Sequence, residues 1–220
     1  MRLLCCVAAL ALTGCVGAMR PPPATLPGQA AAPTAAVADR PLDAVSGAYV
    51  MDARHTSLIW RVRHMNMSLF TARFDKVAGT LDFNAAAPAQ SKLSASVAAA
   101  SVNTGLKEGK DATFDSEIAK VLGAEKTPQI TFVSKSITRT GEKTGFVTGE
   151  LTLNGVTKAQ KLDITFENYA SSTILSAKPR LAFSAHGVVK RSDWDAGSMV
   201  FNLFAGDDVE IIIQTEFEKA

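Results

Sequence analysis

The chain has 220 residues, with 23 Lys and Arg against 21 Asp and Glu, for a formal net charge of +2. Its 11 Phe, 2 Trp and 2 Tyr all fall between Tyr49 and Phe217, whereas all three cysteines (Cys5, Cys6, Cys15) and six of the nine prolines precede residue 48. Interspersed charges near neutrality lack the electrostatic footprint of a nucleic-acid binder. No apolar run approaches the roughly 20 residues that a membrane-spanning helix needs. A body without cysteine holds no disulfide framework, redox pair or thiolate metal site.

The first 48 residues read as an address and a tether. Arg2 followed by the ten apolar or small residues Leu3 to Leu12 forms a short positive region and an apolar region. Ten helical residues cover about half a bilayer core, which suits a signal peptide better than an anchor. Leu12-Thr13-Gly14-Cys15 resembles a bacterial lipobox. That resemblance implies cleavage after Gly14 and acylation of Cys15, and Val16 in place of Asp at the next position implies the outer membrane rather than the inner. Pro21, Pro22, Pro23, Pro27, Pro33 and Pro41 among many alanines favour extended, solvated backbone. The expected division is 1–14 signal peptide, 15–47 lipidated Cys15 and linker, and 48–220 folded domain.

From Gly47 the pattern changes to period two. Leu58, Trp60 and Val62 alternate with Ile59, Arg61 and Arg63; Val147, Gly149, Leu151 and Leu153 with Thr148, Glu150 and Thr152. Leu162, Ile164 and Phe166, and later Val209, Ile211, Ile213 and Phe217, repeat the pattern. One apolar and one polar face per strand marks an antiparallel sheet wetted on one side. Further strands are expected within 70–83, 92–102, 130–138 and 178–190. Turns fall at Gly141-Glu142-Lys143, Asn154-Gly155 and Gly206-Asp207, the Asn-Gly pair being the strongest hairpin signal. About eight strands, several of them long, suggest a closed barrel without free edges. Phe114, Ile118, Val121 and Leu122 fall at helical spacing after Asp111 or Thr113 as N-cap, with Gly123 as the stop, and predict one short helix.

Signatures of chemistry are missing: there is no HExxH, GxSxG or GxGxxG. Gly105 to Lys110 is one residue short of a P-loop spacing and reads as a turn. His55, His64 and His186 are conceivable as a three-histidine zinc site, but single histidines on strands are more often hydrogen-bonding core or rim residues.

Several segments together resemble the YceI-like family. Tyr49 to Thr56 carries its aromatic, Asp and His-Thr opening, and His64 falls at its second histidine. Gly79-Thr80-Leu81-Asp82-Phe83, Ser101-Val102-Asn103-Thr104-Gly105 and Gly149 to Lys158 are similar to its strands, and Arg191-Ser192-Asp193-Trp194 to its late motif. Trp194-Asp195-Ala196-Gly197 departs from it, since the family usually has glycine directly after the late aromatic. The resemblance implies an all-β fold, a lipocalin-like antiparallel β-barrel whose interior holds a long apolar chain, polyisoprenoid or isoprenoid-quinone in type. It implies no catalysis and no cofactor or metal. Small residues at inward positions (Ala95, Ala99, Gly149, Ala185, Gly187) either leave volume for such a chain or make room for large side chains opposite.

The expected lining is Trp60, Val62, Phe132, Leu151, Leu153, Phe166 and Phe183, with His64 and Arg191 towards a head group. The expected partners are that isoprenoid or another long-chain apolar ligand and, through Cys15, a membrane on the periplasmic side of the envelope; a homodimer is an open option. Two rival readings make different demands. An isomerase or hydrolase using His55 or His64 needs a carboxylate partner in a wet cleft. A ligand-free envelope adaptor needs a filled barrel and an exposed apolar patch.

Overall fold

A computed structural model describes residues 36–106, 113–174 and 176–220, without the side chains of Met199 and Val200. The chain divides into Met1–Thr34 and Ala35–Ala220, and all elements below belong to the second unit. The strands are β1 (Gly47–His64), β2 (Ser68–Phe74), β3 (Val77–Phe83), β4 (Lys92–Ala98), β5 (Val102–Asn103), β6 (Gln129–Arg139), β7 (Thr144–Leu153), β8 (Val156–Ala170), β9 (Arg180–Lys190) and β10 (Ala205–Lys219). The helices are α1 (Phe114–Val121) and α2 (Met199–Phe204).

Every strand pairing is antiparallel, and β10 pairs with both β9 and β1, which closes the sheet. The result is an all-β, closed eight-stranded antiparallel barrel of lipocalin-like form. Ten strands make eight staves because two staves are broken. The first half of β1 pairs with β3 and its second half with β2, the chain kinking at Asp75-Lys76. Likewise β4 pairs with β3, and the short β5 with β2, after a 3-10 turn at Ala99–Ser101. Closure gives every stave a neighbour on both sides, although β2 meets β5 only at Arg73 and Phe74.

The alternation expected from sequence sets the faces. Trp60, Val62, Phe132, Val147, Leu153, Phe166 and Phe217 are buried inside. Asn154 and Gly155 take positive φ (51° and 77°) in the β7–β8 hairpin, as a two-residue primed turn requires. Helix α1 starts after Thr113 and ends at Leu122, and Gly123 supplies the left-handed residue (φ 74°) beyond it; Asp111, the alternative N-cap, lies outside the described residues. Two expectations are corrected. Gly206-Asp207 lies in the β10 ladder and is not a turn, since Asp207 accepts hydrogen bonds from the Ser192 backbone N–H and hydroxyl, both 2.8 Å. A second helix, α2, occupies the insertion after Trp194, with the Ser198 hydroxyl accepting from the Phe201 N–H.

The two ends of the barrel differ. The turns β3–β4, β6–β7 and β8–β9 lie at one end, the floor; the turns β1–β2 and β7–β8 and both helices lie at the other, the mouth. Residues 37–46 cross the floor. Leu42 N–H donates to Ala85 O (2.7 Å), Val37 N–H to Arg139 O (2.9 Å), and Tyr49 Oη to Val45 O (2.6 Å). Leu42 and Ala44 pack on the aromatic core of the floor, so the folded unit starts ahead of the first strand.

Candidate functional site

An apolar cavity of about 720 Å³ runs inside the barrel, from Leu42, Arg139 and Phe217 near the floor to His64, Phe114 and Phe201 at the mouth. Each stave contributes the residues of its inward parity, so the cavity wall follows from the period-two pattern. A volume of this size suits an elongated small molecule. The barrel is therefore not filled, which is what the ligand-free adaptor reading had required.

The structure brings all nine sequence-chosen residues to this one wall: Trp60, Val62 and His64 from β1, Phe132 from β6, Leu151 and Leu153 from β7, Phe166 from β8, Phe183 from β9, and Arg191 just beyond β9. His64 is at the exposed mouth end of β1. Arg191 is a latch: Nε donates to Gly206 O (2.8 Å), Nη1 to Ala196 O (3.0 Å) and Asn202 Oδ1 (3.2 Å), and Nη2 to Ala205 O (2.9 Å). These bonds tie the α2 segment to β10 and occupy most of its donors. Sequence reasoning missed Phe70 and Phe74 on β2, Phe114 and Ile118 on α1, Phe201 on α2, and Leu42 and Arg139 at the floor. Parity along Phe70-Thr71-Ala72-Arg73-Phe74 was a usable signal for the first two.

Small inward residues do two different jobs. A methyl at Gly149 would stand 2.5 Å from Phe132 Cζ, and one at Gly187 2.6 Å from Leu162 Cδ2, so these glycines make room for large neighbours. Ala95 and Ala185 line the open cavity instead, and Ala99 is fully buried.

Arg139 faces inward with its side chain 8% exposed. Its guanidinium donates to the backbone carbonyls of Arg40, Gly141 and Glu142, and Asp39 Oδ1 lies 3.7 Å away. A buried cation is tolerated where hydrogen bonds replace its water. Here they join the floor segment to the β6–β7 turn.

The mouth has three aromatic steps leading inward. Trp60 and Phe70 are 6.0 Å apart, Phe70 and Phe114 6.0 Å, and Phe114 and Phe201 6.1 Å between ring centroids. Around it Met65, Met67, Leu69, Leu203 and Phe204 are exposed.

The histidines do not converge. His55 lies in an outward bulge where Ala53 to Thr56 of β1 oppose Thr215 alone on β10. Its Nδ1 is 2.8 Å from Asp52 Oδ2, and the same oxygen accepts from Arg180 Nη1 at 2.8 Å. Arg180 also holds Glu216 (3.1 Å) and Glu218 (2.5 Å). The Arg180 hydrogen bond, followed by that of His55, holds the Asp52 carboxyl well below the usual range. His186 Nε2 is 2.9 Å from Glu210 Oε1, also on the outer wall. Both histidine–carboxylate pairs lie on the outer face of the wall, and none of His55, Asp52, His186 and Glu210 lines the cavity. No metal-holding group occurs among the described residues.

Residues 49–217 match the family model for the YceI-like domain. A UPF0312 protein of Pseudomonas savastanoi is 36% identical over 125 residues, covering 56% of this chain and 64% of that protein, so the match spans just under two thirds of that relative. A protein YceI of Salmonella newport is 30% identical over 175 residues, 79% of this chain and 87% of the relative. Among solved structures, BcnA of Burkholderia cenocepacia superposes with a TM-score of 0.65 at 22% identity, covering 76% of this chain and 98% of that one. A Campylobacter jejuni YCEI protein superposes with a TM-score of 0.58 at 27% identity, covering 71% and 89%. A Saccharophagus degradans domain described as polyisoprenoid binding gives 0.56 at 17% identity, covering 78% and 98%. The family match, the closed barrel and the hollow apolar interior agree, and the chain belongs to the YceI-like family.

Proposed function

We propose that the barrel holds one isoprenoid-type lipid, a polyprenyl or quinone compound, for storage, transport or sequestration in the bacterial cell envelope. The observation that carries this reading is the continuous apolar cavity of about 720 Å³ running from floor to mouth. A branched, flexible tail fills such a space, and burial of apolar surface at about 25 cal/mol per Å² supplies the affinity before binding costs are subtracted. Trp60, Val62, Phe132, Leu151, Leu153, Phe166 and Phe183 contact the tail, with His64 at the head-group end. Arg191 serves the same end indirectly, by fixing the α2 segment over the mouth. The description of the Saccharophagus domain as polyisoprenoid binding supports the ligand class.

The signal-like start, Cys15 and the proline-rich stretch add that the protein is a lipoprotein on the periplasmic side of the envelope, held in the outer membrane through Cys15. Native mass spectrometry of protein isolated from its host without detergent tests the first part. The expected result is one bound lipid per chain, and an empty barrel that also refuses prenols and quinones overturns it. Loss of membrane fractionation in Cys15→Ser tests the second.

A further inference from the structure

The two tryptophans differ in one respect. Trp194 donates its indole N–H to Leu151 O at 3.1 Å, whereas Trp60 Nε1 is buried with no hydrogen-bond partner among the described residues. Trp60 is 9% exposed and lines the cavity one step inside the mouth, beside Phe70. Buried N–H groups are nearly always paired, and an orphan costs what its lost hydration was worth. It is the single buried side-chain polar atom left unpaired among the described residues, and it belongs to a residue of the cavity wall.

We infer that Trp60 is the residue that selects the ligand: its N–H donates to an uncharged oxygen acceptor, a quinone or ester carbonyl, carried by the lipid just inside the mouth. The inference rests on the lipid-binding reading above and names the polar chemistry of that same site. The N–H is covered by the wall around it, so the acceptor reaches it by displacing an apolar neighbour. The ring steps Phe70, Phe114 and Phe201 provide flat apolar faces on the mouth side of it, as a planar head group requires.

The titratable groups on the wall argue against a charged head. They are His64, Glu117, Arg139, Glu142, Lys143 and Arg191. Arg139 and Arg191 donate to backbone carbonyls, and Lys143 donates to Glu167 O near the floor. Glu117, on α1 at the mouth, repels an anion. Among the described residues, a phosphate beside Trp60 would lie in an apolar site whose arginines and lysine already donate elsewhere, at a desolvation cost far above that of a carbonyl.

The test is competition in detergent-free buffer among menatetrenone, geranylgeranyl acetate, phytane and geranylgeranyl phosphate, with bound lipid extracted and quantified by mass spectrometry. The wild type is expected to take the two carbonyl probes about tenfold more tightly than phytane, from the satisfied N–H. Trp60→Phe is expected to bring that ratio close to one, whatever it does to the absolute affinity for phytane. Because the variant also alters packing, a second measurement uses the unmodified protein. In a ¹⁵N–¹H spectrum of the two indoles, the carbonyl probes are expected to move the Trp60 resonance downfield and leave that of Trp194 in place. The quinone and ester arms separate the two carbonyl sources. A ratio unchanged by Trp60→Phe, no preference in the wild type, or the phosphate binding best overturns the inference while leaving the barrel a lipid binder. Refusal of phytane and of every other probe overturns both.

Discussion

Floor and mouth are made from the same strands yet solve opposite problems. At the floor, Tyr49, Phe83, Leu181 and Phe217 are all nearly inaccessible, and their rings interlock at 5.4–6.3 Å with Phe166 and Phe183. Backbone and side-chain hydrogen bonds then fasten residues 37–46 across them. At the mouth, two short helices replace the strap, Leu203 and Met67 are 73% and 79% exposed, and Trp60 keeps an unpaired donor. A barrel closed at one end and open at the other separates staying folded from giving access to its cavity along its axis. Stability is concentrated at the closed end, and the opening is built from elements that can shift at low cost.

The strongest way to break that comparison is to remove one ring from each end. Phe217 is 3% exposed and packs on Phe183 at the closed end of the cavity, and Phe217→Ala is expected to cost about 4 kcal/mol. Phe201→Ala on α2, at the edge of an existing cavity, is expected to cost about 1 kcal/mol. Urea unfolding of both variants checks the ranking. Equal losses would show that the mouth is as rigidly built as the floor.

Next in size is the floor latch. Arg139→Met keeps much of the side-chain volume but leaves the carbonyls of Arg40, Gly141 and Glu142 without their donor, at an expected cost of about 3 kcal/mol. Limited proteolysis should then cut within residues 37–46 while the strands remain resistant. A variant as resistant as wild type would mean that Leu42 and Ala44 hold the strap unaided.

Much of this contrast was hidden in the sequence, for physical reasons. The alternation in Val147 to Leu153 reveals which side chains face inward, because one stave buries one face, and Asn154-Gly155 reveals its hairpin because few residue pairs accept two positive φ values. The strap was unreadable: Leu42 and Ala44 dock as single residues in a Pro- and Ala-rich stretch with no periodicity. Met199 to Phe204 is so densely apolar that period does not separate helix from strand, and only Ser198 as a capping residue hints at α2. Arg139 has inward parity with Ile137, yet its three carbonyl partners come from two segments that only the closed barrel brings together. The β1 bulge hides in the same way. Asp52, His55 and Thr56 are visible as a motif, but four residues opposing one is a property of the pairing with β10.

That bulge belongs with the floor and gives a pH test. Asp52 is 9% exposed and its carboxyl is held well below its ordinary value by Arg180 and then His55. A depressed folded-state pKa stabilises the fold above the unfolded-state value of about 3.9, and the contribution is lost as pH falls through that value towards the folded one. Asp52→Asn is expected to lose about 2 kcal/mol at pH 6, since Arg180 keeps Glu216 and Glu218. The gap between variant and wild type should narrow by up to about 1.4 kcal/mol for each pH unit below about 4. Urea midpoints at pH 6, 4 and 3 check this. A gap that stays constant with pH would mean that Asn satisfies the bulge as well as the carboxylate does.

The smallest expected effect carries as much information as the largest. Leu203 and Met67 are mostly solvated, so exchanging either for serine removes little apolar burial. Leu203→Ser and Met67→Ser are expected to unfold within about 0.5 kcal/mol of wild type, the range of surface substitutions that disturb no cap, core or network. The double variant should be additive, because neither side chain belongs to a buried cluster. Urea unfolding at neutral pH decides it. A loss above about 1 kcal/mol from either change would mean that the exposed rim supports the fold, and the division of labour between the two ends would have to be redrawn. A loss within the expected range leaves the rim's apolar side chains without a structural reason to be apolar, which is the condition expected of a surface kept for what passes over it.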